Sequence, residues 1–282
     1  MSVERRERRG HLLALVPALL VLLALFVYPL LGILTRSVWK GGAYTLDAYR
    51  QVFGVPVYLT VIGLTFRTAA LVTLLCLTLA YPLAYVLVRV RPRLARLLLI
   101  IVVLPYFTSI IVRTYAWMVL LGRNGLVNQW LVAVGLVDRP LPLLYNQAGV
   151  LIGMTYVLLP VMVLTLFSVM RGIDPALVRA AHSLGASRLA AFLRVFLPLS
   201  LPGVAGGALL VFILSLGFFI TPALMGGPSD IMIAMLIERE VEITLNWAFA
   251  SALAVILLAL TLAGFALSHR VVRLDRLFGS HA

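Results

Sequence analysis

The chain of 282 residues is 63% hydrophobic and only 12% charged, and its mean hydropathy is +1.10. Soluble domains are about half apolar and about a quarter charged, so this composition excludes a soluble protein and indicates an integral membrane protein. The net charge of +13 does not indicate a nucleic-acid partner, because the arginines separate apolar runs instead of forming one basic surface.

The first apolar run, Leu12–Leu34, follows an N-terminal segment with four arginines among its first nine residues. Such a segment is typical of a signal peptide, but the run is too long for one and lacks a convincing small-residue cleavage site. We therefore predict an uncleaved first span. The mixed, aromatic residues 36–58 that follow predict a loop with a short surface helix.

Five further apolar runs are each long enough to cross a hydrocarbon core about 30 Å thick, so six spans are predicted in all. They are Thr68–Val88, Leu97–Leu121, Gly149–Met170, Leu197–Pro222 and Ala248–Leu267. The single cysteine lies inside the second span, so no intrachain disulfide can form. The fifth span carries several glycines, and small residues let helices approach closely in membranes. We therefore predict that the fifth span is a central, protein-facing helix.

Basic residues are distributed unequally between the two sides of the predicted membrane. Fifteen of the 23 lie in the N-terminal segment, the loop 89–96, the segment 171–194 and the C-terminal tail, which we call the arginine-rich side. The opposite loops hold six basic and six acidic residues. Cytoplasmic loops carry the excess of positive charge, so both termini are predicted to face the cytoplasm.

Between the fourth and fifth spans, residues 174–203 predict two short helices joined at a glycine, and we call this segment the elbow. Asp174 can cap the first helix, and Pro175 suits its first turn, where a missing N–H costs nothing. Gly185 lies where a residue in the left-handed conformation would end that helix. Ser187 can cap the second helix. Taken alone, such a segment is also compatible with an amphipathic loop on the bilayer surface.

In the elbow, Ala180-Ala181 are followed after three residues by Gly185 and after nine more by Val195-Phe196-Leu197-Pro198. This spacing resembles the EAA loop of type I ABC importer permeases. In that family the loop is the cytoplasmic coupling helix, which docks into a groove of the ATPase subunit. The chain has arginine where the family has glutamate, which reverses the charge offered to the ATPase. The residues to which the resemblance assigns coupling are Arg179, Ala180, Ala181, Gly185, Leu197 and Pro198.

Other segments resemble permeases of spermidine/putrescine importers and their close relatives. The similar segments are Tyr81–Tyr85, Pro105–Asn128, Leu214–Pro228 and Leu245–Ala252, within a resemblance that covers residues 58–270. The resemblance implies a bacterial cytoplasmic membrane protein that forms a heterodimer with a second permease subunit. It also implies two ATP-binding cassette ATPase subunits and a periplasmic or lipid-anchored solute-binding protein as partners, besides membrane lipids.

Seven residues are candidates for the path of the solute. Arg113 lies seventeen residues beyond Arg96, which is about 25 Å along a continuous helix and near the outer edge of the hydrocarbon core. Arg67 opens the second span from the same side. Both can also snorkel to the lipid head groups, and the aromatic residues can be packing or interface residues instead. The full set is Arg67, Tyr106, Arg113, Tyr115, Trp117, Phe218 and Phe219.

The spans contain no Asp or Glu, which is adverse to a proton-coupled secondary transporter. The chain has no P-loop and no zinc-peptidase or serine-hydrolase motif. We therefore expect no catalytic residue, no metal site and no cofactor in this chain. Any ATP hydrolysis must belong to a partner.

Together these patterns predict an all-α integral membrane protein with six transmembrane helices and a cytoplasmic EAA-type coupling helix, the type I ABC importer permease fold. Residues 1–57 would form an N-terminal arm, the first helix and an outer loop. Residues 58–270 would form the core with the coupling loop 174–198, and residues 271–282 a cytoplasmic tail.

The expected function is to translocate a small solute, a polyamine such as spermidine or putrescine by the resemblance. The alternatives are another solute (an amino acid derivative, an opine or an organic anion), a secondary transporter, or a membrane scaffold without transport.

Overall fold

The computed structural model describes residues 16–17, 19–40 and 42–278, and only the backbone of Lys40 and of residues 267–278. The arginines of the N-terminal segment, the start of the predicted first span, and the side chains of the C-terminal arginines lie outside this description.

Within these residues the chain forms helices and one short antiparallel ribbon, β1 (Trp39–Lys40) with β2 (Ala43–Tyr44). The helices are α1 (Leu19–Val38), α2 (Asp47–Gly54), α3 (Pro56–Arg89), α4 (Pro92–Val103), α5 (Ile110–Leu121), α6 (Leu126–Ala133), α7 (Gln147–Arg171), α8 (Pro175–Ser183), α9 (Arg188–Leu216), α10 (Ile220–Met225), α11 (Ile233–Glu242) and α12 (Trp247–Phe278).

Five of these helices, α1, α3, α7, α9 and α12, are long and apolar enough to cross a membrane, α12 through its residues 247–266. The segments Pro92–Phe107 and Ile110–Ala133 meet at a bend of 102°. If the two segments together form one span, the number of crossings is six. The all-α membrane fold is therefore confirmed.

Contacts divide the chain into two compact units, one containing the residues up to Tyr58 with Ile237–Ala259, the other containing Leu59–Leu236 and the residues from Leu260. In the first unit, the predicted surface helix is present as α2, and Tyr49 donates a hydrogen bond of 2.8 Å to Ser37 Oγ. The Arg36 guanidinium lies 5.5 Å from the centre of the Trp247 ring.

In the second unit, α7 is the central helix. We compare the apolar 18-residue segment of each membrane-crossing candidate. In α7, 56% of these residues are buried, whereas the fraction is 33% in α9 and 28% in α3. The predicted fifth span, α9, packs along one face of α7 and is therefore a protein-facing helix, although α7 is the more buried of the two. Glycines allow this approach, since a Cβ at Gly203 would lie 2.9 Å from Val169 Cβ.

Two predicted spans differ from the structure at their ends. The helix of the second span, α3, begins at Pro56, twelve residues before the predicted start of the span. A helix can continue beyond the bilayer when no residue breaks it. Arg67 therefore lies inside α3 and does not open it. The fifth span begins at Arg188 and ends at Leu216, because Gly217 separates α9 from α10.

The third predicted span is broken. A 3₁₀ turn at Leu104–Phe107 ends the first segment, and Thr108 follows with an extended backbone (φ −87°, ψ 155°). Pro105 has no N–H to continue an α-helix, which favours a break at this point. The length of about 25 Å from Arg96 to Arg113 assumed a continuous helix, and the bend of 102° contradicts that assumption.

Candidate functional site

The first helix of the elbow, α8, begins as its sequence predicts. Asp174 Oδ1 accepts a hydrogen bond of 2.8 Å from the Ala176 N–H, and Pro175 occupies the first turn. The carboxylate satisfies one of the backbone donors left free at the start of a helix. Asp174 and Pro175 therefore set the residue at which α8 begins.

The end of α8 depends on Gly185, whose φ of +86° lies in the left-handed region. The Ala186 N–H donates to the Ala181 carbonyl at 3.0 Å, and the Gly185 N–H donates to the His182 carbonyl at 3.0 Å. This pair of bonds is a Schellman motif. A Cβ at Gly185 would meet no atom within 4 Å, so the backbone angle and not the available space requires glycine here.

The second part of the elbow is not a separate helix. Ser187 Oγ accepts a hydrogen bond of 3.2 Å from the Ala190 N–H, as predicted, and α9 then continues through a π-helical turn at Phe192–Phe196 into the fifth span. Leu197 and Pro198 therefore lie within a continuous helix.

Aromatic side chains connect the base of the elbow to α3. The Tyr85 ring lies 5.2 Å from the Phe192 ring and 5.0 Å from the Phe196 ring, with edge-to-face geometry. The Arg89 guanidinium lies 4.1 Å from the centre of the Tyr85 ring. The sequence analysis missed this cluster, although the i, i+4 spacing of both Tyr81/Tyr85 and Phe192/Phe196 indicates one helix face in each case.

The remaining coupling candidates lie on an accessible surface. Arg179 and Ala180 are exposed, and Ala181 is half-buried. In the part of the chain that the structure describes, no carboxylate lies within 4.0 Å of the Arg179 side chain. Leu184, directly before Gly185, is 89% exposed. Beside Gly185, the elbow therefore exposes the unpaired cation of Arg179 and the apolar side chain of Leu184.

The structure brings some of the predicted path residues together. The Arg113 guanidinium lies 5.9 Å from the centre of the Tyr106 ring, across the break in the third predicted span. The Trp117 ring lies 5.2 Å from the ring of Tyr156, which was not predicted. Phe218 packs against the buried core, and Arg67 is exposed on α3. Only Arg113 and Tyr106 therefore form a recognisable pair within the predicted set.

Tyr115 faces a cavity of about 810 Å³ between the end of α5 and the loop that precedes α7. Arg123 and Arg139 also line this cavity. Asn128 fixes its wall, because this fully buried side chain donates to the Gly122 carbonyl and exchanges two hydrogen bonds with Leu141. The sequence analysis did not identify Asn128, although an amide in the largely apolar stretch 126–133 can indicate a buried polar contact.

Comparison with known proteins shows the family of the chain. The binding-protein-dependent transport system inner membrane component family matches residues 76–274. The spermidine/putrescine transport system permease protein PotB of Haemophilus influenzae is 35% identical over 243 residues, which cover 86% of this chain and 82% of that protein. The molybdenum transport system permease protein ModB of Mycobacterium bovis is 34% identical over 191 residues, 68% of each chain.

The fold has close counterparts among solved structures. A chain of a bacterial alginate ABC transporter, in complex with alginate pentasaccharide-bound periplasmic protein, matches with a TM-score of 0.78 and 20% identity. The match covers 98% of this chain and 99% of that chain. Family, fold and elbow agree: the chain belongs to the binding-protein-dependent transport system inner membrane components and is a multi-pass permease subunit of a type I ABC importer.

Proposed function

We propose that this permease receives a polyamine such as spermidine or putrescine from a solute-binding protein and passes it into the cytoplasm. The observation that carries the proposal is the 35% identity to a spermidine/putrescine permease over 86% of the chain. Aromatic rings suit a flexible cation through cation–π contacts, and Tyr106, Tyr115 and Trp117 supply such rings on both sides of the break. Selectivity would rest mainly on the binding protein, since none of the path candidates is acidic.

The energy would come from two partner ATPase subunits, which dock on the elbow. In this proposal, Arg179, Ala180, Ala181 and Gly185 form the contact surface. Closure of the ATPases would move α8, and the junction at Leu197–Pro198 would transmit that movement to the fifth span because α9 is continuous there. A second permease subunit would complete the pore. The arginine-rich side, with both termini, would face the cytoplasm.

A second candidate solute is an oxyanion or organic anion. Two observations favour it: the 34% identity to a molybdenum permease, and the two arginines among the path candidates. Arg113 carries an Nε atom that is buried without a hydrogen-bond partner in the described structure. A guanidinium with an unused donor attracts an anion and repels a polycation.

Uptake by the reconstituted complex distinguishes the two candidates. The complex of this chain with its binding protein and partner subunits is supplied with labelled spermidine or putrescine. We expect unlabelled polyamines to compete, and amino acids, molybdate and organic anions not to compete. Transport of a labelled anion that polyamines do not inhibit would replace the polyamine proposal by the anion proposal.

A further inference from the structure

A second cavity, of about 280 Å³, lies on the arginine-rich side, where the ends of three helices meet. It is formed by the end of α3, the start of α4 and the end of α7. Leu87, Leu99 and Phe167 contribute apolar walls, and Arg96 and Arg171 contribute charge. The elbow does not line this cavity, so it is separate from the coupling surface.

The charge around the cavity is uncompensated. Both lining arginines are exposed, and among the described residues neither has a carboxylate within 4.0 Å. The neighbouring Arg91 and Arg93 are likewise exposed and have no such partner within that part of the chain. The cavity also borders the N-terminus of α4, where the helix dipole favours a negative group. These features together favour an anion.

The apolar walls restrict the kind of anion. Arg96 lies one turn into α4 and Arg171 ends α7, so both are at the boundary of the apolar part of the protein. A ligand that satisfies the cavity must offer a negative group to the arginines and hydrocarbon to Leu99 and Phe167. Basic pockets between membrane helices on the cytoplasmic side have this combination when they bind anionic lipid head groups.

We propose that this cavity binds the phosphodiester head group of an anionic phospholipid such as phosphatidylglycerol, with part of an acyl chain against the apolar wall. Arg171 is three residues before Asp174, which caps the first helix of the elbow. The bound lipid therefore fixes the junction between α7 and the elbow. The proposal does not depend on which solute is transported.

The test measures lipid retention by the full-length chain, purified in detergent with the subunits that accompany it. In detergent the general attraction of a charged membrane surface is absent, so only a specific site retains lipid. Native mass spectrometry compares phosphatidylglycerol with phosphatidylcholine. We expect preferential retention of phosphatidylglycerol, and a loss of affinity of roughly tenfold or more in R96Q/R171Q, since a charge-assisted hydrogen bond contributes about tenfold.

The matched control is R188Q/R194Q, which removes the same charge from exposed arginines of the elbow that do not line the cavity, and it should retain the lipid. R96K/R171K keeps both charges and should restore most of the binding, which separates loss of the site from misfolding. Equal loss in the glutamine and control variants would overturn the proposal. Equal retention of phosphatidylcholine would also overturn the proposal. Equally tight binding of soluble glycerol phosphate would overturn it as well, because the cavity would then be a phosphate site and not a lipid site.

Discussion

At the scale of single residues, the elbow depends on local backbone chemistry. Two oxygen acceptors, on Asp174 and Ser187, cap the helices on either side of the bend. Gly185 provides the left-handed conformation between them. The side chains of Arg179 and Leu184 then point away from the described core, where a partner can contact them. The residues that determine the backbone shape of the elbow are thus different from the residues whose side chains are exposed to a partner.

Replacement of Gly185 by valine tests the shape of the elbow. A side chain in the left-handed conformation costs roughly 1–2 kcal/mol, and a β-branched one is least compatible with it. Because no atom lies within 4 Å of the added Cβ, the subunit should still insert and fold. We expect reduced ATPase co-purification and reduced solute-stimulated ATP hydrolysis.

The control is Gly206→Val, which also adds a side chain in open space but at a helical backbone angle. It should retain normal hydrolysis. If hydrolysis and uptake are normal in both variants, the elbow does not couple the ATPase in the way proposed.

Reversal of the charge at Arg179 tests the surface of the elbow. The side chain is exposed and has no acidic partner in the described chain, and exposed ion pairs contribute about 0–1 kcal/mol. We therefore expect Arg179→Glu to assemble with its ATPase and to support near-normal uptake. Arg188→Glu, the same reversal on another exposed arginine of the elbow, is the control. Loss of assembly in Arg179→Glu alone would reveal a specific acidic partner on the ATPase.

At the scale of helices, the second unit is held together by close packing of α9 on α7. Gly203 and Gly207 face Val169 and Met162, and a Cβ at either glycine would lie within 3.0 Å of those side chains. Gly206, between them, faces open space. Tyr81 adds a hydrogen bond of 2.8 Å to Ser200, which ties α3 to the same helix. Movement of α9 therefore requires α7 and α3 to respond.

This packing predicts opposite outcomes for two glycines on one helix. Gly203→Leu introduces a side chain against the β-branched Val169, which has little rotational freedom, and overpacking of this kind costs about 1–3 kcal/mol. A Cβ at Gly206 would meet no atom within 4 Å, so Gly206→Leu should have little effect. Thermal unfolding of the detergent-solubilised subunit measures the difference. Equal melting temperatures would show that α9 does not pack on α7 as described.

At the scale of the whole molecule, the number of membrane crossings depends on the bent pair Pro92–Phe107 and Ile110–Ala133. Each of the five other candidate helices is long and apolar enough to cross alone. If the bent pair crosses as well, the number of spans is even and both termini lie on one side. If it turns back as a re-entrant loop, the number is odd and the termini lie on opposite sides.

A reporter fusion decides between these topologies. Alkaline phosphatase fused after Ala282 should be inactive, because the positive-inside rule and six crossings both place that end in the cytoplasm. A fusion after Asp138, beyond the bent pair, should be active if the pair crosses and inactive if it turns back. A fusion after Thr45, beyond α1 alone, should be active in both topologies and serves as the control. An active fusion at Ala282 would contradict six crossings and favour the re-entrant loop.

The sequence by itself determined the features that depend on neighbours along the chain. The caps at Asp174 and Ser187 and the left-handed Gly185 involve residues at most five positions apart, so local chemistry specifies them. Hydrophobicity and length likewise indicated the apolar spans, since each must cross a hydrocarbon layer of fixed thickness. The spacing of the elbow and the resemblance it carries led to the family that the comparisons show.

Only the tertiary structure decided which helix is central, where the third predicted span breaks, and which side chains meet. The contacts of Tyr85 with Phe192 and of Tyr81 with Ser200 join residues more than a hundred positions apart. The pairing of Arg113 with Tyr106 depends on the direction of the chain after the break. A periodic pattern gives the face of one helix but not its partner, because packing of two helices depends on the shapes of both surfaces.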